Sequence, residues 1–238
     1  MPYELLDWIN INRLDWISLS ANPNAISLFE SHYNLLNWYN LSTNPNAIHI
    51  LERNKLKINW SKLSSNPNAI NLLQSNPLNI DWLELCSNYN SNIIKLLEYD
   101  LTKIFFPNFL SNPIVFDINT FNNTIESRLK LNILSDWIYL SSNSNAIYLL
   151  ESKPELINWY RLSSNTNAIH LLEENQSKIN WTILSSNTNA INLLEENKSK
   201  IDWNALSLNP NAIHLLEENQ SKINWYSLSY NPSIFIKN

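Results

Sequence analysis

The sequence predicts an all-α protein, an α-solenoid of short helix-turn-helix units, and three observations predict it. Tryptophans stand at 16, 38, 60 and 82 and again at 137, 159, 181, 203 and 225, with successive members of each series 22 residues apart. A period of about 20–50 residues belongs to arrays whose units are too small to fold alone and stack on their neighbours. Within each unit the apolar residues recur at helical spacing. The chain also holds no glycine and 43 asparagines, which leaves the tight turns of a β-helix without their usual residue.

The third copy, "KINWSKLSSNPNAINLLQSN", shows each element in order. Asn59 reads as the N-cap of a very short first helix running from Trp60 to about Ser64. Asn66 then caps a second helix with Pro67 at its first position, where a missing N–H costs nothing. Pro23, Pro45, Pro210 and Pro232 hold the same place, and Ser144, Thr166 and Thr188 stand in elsewhere. On the second helix Ala69, Ile70, Leu72 and Leu73 share one broad face, with Asn71, Gln74 and Ser75 opposite. Asn76, like Asn54, Asn175, Asn197 and Asn219, fits a left-handed C-cap in place of glycine. Lys178, Lys200 and Lys222 follow in the linking turns. Each tryptophan precedes an apolar residue by three positions, so the tryptophans are expected in the core rather than as stacking platforms for a ligand.

A leucine-rich-repeat-like horseshoe is the alternative, because its period also spans 22 residues. It requires apolar residues where this chain has Ser61 and Asn68. The expected division is a cap over 1–15, a first array over 16–98, a degenerate repeat and loop over 99–136, and a second array over 137–238, all within one continuous solenoid. In the degenerate segment Phe106 takes the tryptophan position, and 31 residues separate it from Trp137. Phe105, Phe106, Phe109, Phe116 and Phe121 cluster there, which suits a bend filled by phenylalanine or a notch for a partner. Stacked at about 9 Å, nine copies make an open rod on the order of 80 Å long. Its last copy, starting at Trp225, leaves Ile234, Phe235 and Ile236 as an apolar end that either folds back over Leu215 and Leu216 or drives weak end-to-end self-association.

Composition narrows the function. With 44% hydrophobic and 16% charged residues the chain belongs among soluble folded proteins. It lacks both a membrane-length apolar run and a secretory leader, so a cytoplasmic location (host cytoplasm or virion in a viral setting) and no membrane partner are expected. A formal charge of −5 argues against nucleic acid as the main partner. Cys86, the one cysteine, occupies a position that is otherwise serine, at Ser20, Ser42, Ser64, Ser141, Ser163, Ser185, Ser207 and Ser229. It reads as a serine replacement and not a nucleophile. No catalytic, cofactor-binding or metal site is expected.

The candidate interaction surface is the outward face of the second helices. His49, His170 and His214 stand eleven residues after a tryptophan, where other copies carry Asn71, Tyr148 and Asn192. Glu173 and Glu174, Glu195 and Glu196, and Glu217 and Glu218 stack into an acidic stripe, suited to solubility or to a basic protein partner. Helical repeats that read single-stranded RNA are the alternative class.

The module "KINW..LSSN.NAIHLLEEN" resembles the Asn-rich tandem repeats of proteins encoded by large DNA viruses of protists. The resemblance covers nearly the whole chain apart from 99–136. It implies a repeat architecture and a host-directed interaction or scaffold role, and it carries over no functional residue.

Overall fold

The computed structural model describes residues 3–29, 31–98, 101–116 and 134–237. The protein is an all-α repeat structure. The complete unit, described in eight copies, runs from a first helix through a polar corner to a second helix and a one-turn 3-10 link, as in Trp60–Ser64, Ile70–Gln74 and Pro77–Asn79. Helix Phe106–Ser111 fills the register of one further copy, giving ten, numbered 1–10 from Trp16, Trp38, Trp60, Trp82, Phe106, Trp137, Trp159, Trp181, Trp203 and Trp225. The horseshoe alternative fails, because the strands among the described residues are only β1 (Tyr3–Leu5) and β2 (Phe235–Lys237). Phe121 and the polar stretch after it lie outside the described residues.

Capping explains why four-residue helices form at all. The Asn59 side chain accepts from the Lys62 N–H at 2.9 Å, and Asn37, Asn158, Asn180, Asp202 and Asn224 act alike. Two expectations need correction. Asn66 does cap the corner, accepting from the Asn68 N–H at 3.0 Å, but the α-helix proper begins at Ile70. Asn54, Asn76 and Asn175 have φ of −131°, −137° and −129°, so none is left-handed. Asparagine closes the second helix through its side chain instead. Asn76 Nδ2 donates to the Leu72 carbonyl at 2.8 Å, and Asn54, Asn175, Asn197 and Asn219 repeat the bond. An otherwise unpaired helix-end carbonyl is thereby satisfied.

The core is a repeated triplet of fully buried residues, such as Leu63, Ala69 and Leu73. Around it, two buried polar ladders join each copy to the next. The corner asparagine of one copy donates from Nδ2 to two carbonyls of the copy before, as Asn66 does to Ser42 and Asn44 at 3.0 and 2.9 Å. The serine of one copy donates to the tryptophan carbonyl four residues back and accepts the N-cap N–H of the next, as Ser64 does with Trp60 and Asp81. Cys86 keeps the place in that ladder expected of a serine replacement, its sulfur accepting from Phe105 N–H at 3.3 Å. Across the degenerate segment Asn143 donates to Leu110 and Asn112 as in any other pair of copies.

The open rod with an apolar end is overturned, because the stack closes on itself. Asn22 of copy 1 donates to the Ser229 and Asn231 carbonyls of copy 10 at 3.0 and 2.9 Å. The N–H of Asp15 donates to Ser229 Oγ, and Asn24 Nδ2 donates to the Pro232 carbonyl, as Asn46 Nδ2 does to Pro23 within the array. Copy 10 continues into β2, which pairs antiparallel with β1, Leu5 opposite Phe235. Ile234 and Phe235 are accordingly buried, under β1 and not folded over Leu215 and Leu216, while Ile236 remains half-exposed. The segment expected to cap the rod is the link between copies 10 and 1, with its own 3-10 turn at Ile11–Arg13.

The tryptophans also differ from expectation. They pack against the core while remaining partly exposed, because each lies at the edge where link meets helix. In five copies a cation three residues before the next first helix covers the open ring. Lys178, Lys200 and Lys222 lie 4.3, 4.2 and 4.3 Å from the ring centroids of Trp159, Trp181 and Trp203. Lys57 covers Trp38, and Arg13 reaches across the closure to Trp225 at 4.0 Å.

Candidate interaction surface

The first helices form the inner wall of the ring. First helices meet in close backbone contact at the junctions of copies 10 and 1, 3 and 4, 5 and 6, and 8 and 9, and among the described residues no two second helices do so to that extent. Asn40 of copy 2 hydrogen-bonds Tyr230 of copy 10 at 3.1 Å, spanning copy 1 between them. Such a reach is possible only on the concave side. Ten helices at about 8–10 Å, each with a radius of about 5–6 Å, leave an opening on the order of 15–20 Å across.

The residue after each tryptophan projects from this wall. After six of the nine it is large and apolar or aromatic, Ile17, Tyr39, Leu83, Ile138, Tyr160 and Tyr226, each between 37% and 58% exposed, and Ser61, Thr182 and Asn204 hold it in the others. A row of large hydrophobic groups in water is a feature of binding surfaces. Charge is sparse among them. Lys62 and Glu84 pair at 2.7 Å; the hydrogen bond to Glu84 holds the Lys62 ammonium above its usual pKa, against partial desolvation. Arg161 lies over the Tyr139 ring at 5.8 Å and borders a cleft of about 420 Å³ with Tyr89, Pro107, Asn108 and Tyr139, drawn from four consecutive copies. At the closure, the hydrogen bond between the Tyr226 and Tyr230 hydroxyls, at 3.4 Å, pushes the Tyr226 hydroxyl pKa up. This face can hold an elongated, weakly charged ligand through ring contacts and a few polar anchors.

The residues singled out from the sequence lie together on the opposite, outer belt. His49, Asn71, Tyr148, His170, Asn192 and His214 are exposed, as are Glu173, Glu174, Glu195, Glu196, Glu217 and Glu218. The histidines serve the array: His170 Nε2 lies 2.9 Å from Glu151 of the previous copy, and His214 Nε2 lies 3.0 Å from Glu195. About half-exposed pairs of this kind contribute about 0–1 kcal/mol. Among the described residues no group of three or more histidine, cysteine, aspartate or glutamate side chains could hold a metal ion. Reasoning from sequence missed the inner row, although its signal was present: an apolar or tyrosine residue follows most of the tryptophans.

No protein-family model, curated protein or solved structure matches this chain.

Proposed function

We propose that the protein is a non-enzymatic scaffold for protein-protein interaction, an α-solenoid bent into a ring that takes a polypeptide segment against its inner wall. The host-directed, viral setting belongs to the same proposal and rests on the resemblance of the repeats. The observation that carries the reading is the row of exposed Ile17, Tyr39, Leu83, Ile138, Tyr160 and Tyr226 on a face with few charges. An opening on the order of 15–20 Å admits a single helix of about 10–12 Å diameter or an extended chain, and no folded domain. Wall positions that vary between copies on a constant frame suit selective recognition.

The test is affinity capture from the source cell with the wild-type ring and with Ile17→Ser/Leu83→Ser/Tyr160→Ser. The variant is expected to lose the captured protein while its melting temperature stays within a few degrees, because all three side chains are exposed. Undiminished capture by the variant overturns the reading. Capture that disappears on ribonuclease treatment transfers the inner face to the RNA class.

A further inference from the structure

We infer that the rim of the ring formed by the 3-10 links docks peripherally on an anionic lipid surface, with Leu56 and Leu78 entering it. This inference stands independently of the partner proposed for the inner wall. The nine described links carry Arg13, Lys55, Lys57, Lys103, Lys178, Lys198, Lys200 and Lys222 against one carboxylate, Glu155. Half of the 16 basic residues in a chain of net charge −5 thus stand on one edge, because the links hold the same position in every stacked copy. The corners at the other edge, such as "SSNPNA", carry no charge.

One sector of the basic rim is also apolar. Leu56 and Leu78 are 104% and 99% exposed at a position held elsewhere by Asn12, Asn34, Thr102, Glu155, Ser177, Ser199 and Ser221. Tyr33 and Leu35 of the preceding link are exposed beside them. The cations Arg53, Lys55 and Lys57 flank Leu56, with Glu52 and Asp81 as the acids of this sector, whereas paired glutamates precede the links of copies 7–9. Lys57 lies over both Tyr33 and Trp38, which places amphipathic rings and a cation just behind the leucines, the arrangement favoured at headgroup level.

The shape favours lipid over a folded partner. Two side chains that project whole from successive turns are enclosed by a fluid surface at once, while a rigid protein must offer two pockets at the repeat spacing. Among the described residues no helix is long and apolar enough to cross a membrane, so the contact is peripheral. The absence of a spanning segment bears only on crossing.

The experiment is co-sedimentation of the full chain with vesicles of phosphatidylcholine alone and with about 30% phosphatidylserine, whose negative surface potential attracts basic segments. Binding is expected to the anionic vesicles and not to the neutral ones, and to weaken with salt. Leu56→Ser/Leu78→Ser should weaken it at least about tenfold with an unchanged melting temperature, and Lys55→Glu should weaken it as well. Three outcomes overturn the inference: no binding to anionic vesicles at millimolar lipid, equal binding by the double leucine variant, or capture of a soluble acidic protein by this sector with no vesicle binding.

Discussion

Replacing one corner asparagine with alanine tests both the ladder and its closure. Asn66 donates two bonds, to the Ser42 and Asn44 carbonyls, and accepts one, from the Asn68 N–H. Asn22 makes the same three bonds, but its two acceptors are Ser229 and Asn231, more than 200 residues away in sequence. At about 1 kcal/mol net for each bond, and more for buried groups left unpaired, Asn66→Ala should cost about 3–4 kcal/mol. In a closed ring Asn22→Ala costs the same. In an open stack it loses only the local turn bond, about 1 kcal/mol. Urea unfolding followed by tryptophan fluorescence and helical circular dichroism reads the difference directly, with an unchanged slope showing that stability alone has moved. A loss near 1 kcal/mol for Asn22→Ala beside 3–4 for Asn66→Ala would show that the ring opens in solution. Losses near 1 for both would refute the argument that the ladder holds copies together.

Further outcomes follow from the same geometry. Trp181→Ala should cost about 2 kcal/mol in a denaturant melt, below the 3–5 of a fully buried aromatic, and Lys200→Ala about 0.5–1 through loss of its place over that ring. Burial pushes the Cys86 thiol above its usual pKa of 9.0, so the thiol stays neutral at pH 8; Ellman's reagent should label it only after unfolding. Cys86→Ser, which restores the ladder residue, should leave stability within about 1 kcal/mol. Glu174→Gln/Glu196→Gln/Glu218→Gln should leave the melting temperature nearly unchanged. If the outer belt docks a basic partner, the triple variant weakens its capture and salt weakens the wild-type complex; unchanged recovery in both marks the belt as a solubility feature.

Local chemistry was legible in the sequence, and long-range partnership was not. The 22-residue period, the Asn59 cap and the buried face of Ala69, Ile70, Leu72 and Leu73 needed only spacing and propensity. The asparagine at the end of the second helix was misread because Asn76 can satisfy a helix end in two ways, by a left-handed backbone or by its side chain, and composition cannot separate them. Half-burial of Trp181 was hidden because a residue at an edge has the same period as one in the core. Closure was hidden because Asn22 meets residues at the other end of the sequence. One signal did point to it: "INRLDW" before Trp16 has the form of a link, with Arg13 placed as Lys178 and Lys200 are, and a link serves a copy on each side of it.

The pairing of copy 10 with copy 1 also changes how the protein comes apart. A linear array unravels from its termini, since a terminal unit is held by one neighbour and detaches by breaking one interface. Here every unit is held on both sides, so the first rupture anywhere must break two interfaces, or one interface together with the clasp of β1 and β2. The barrier to that first event is raised even where the free energy per copy is ordinary, and with it the lifetime of the native state. Resistance to proteolysis should therefore fall abruptly once the clasp is removed, in excess of the loss in equilibrium stability.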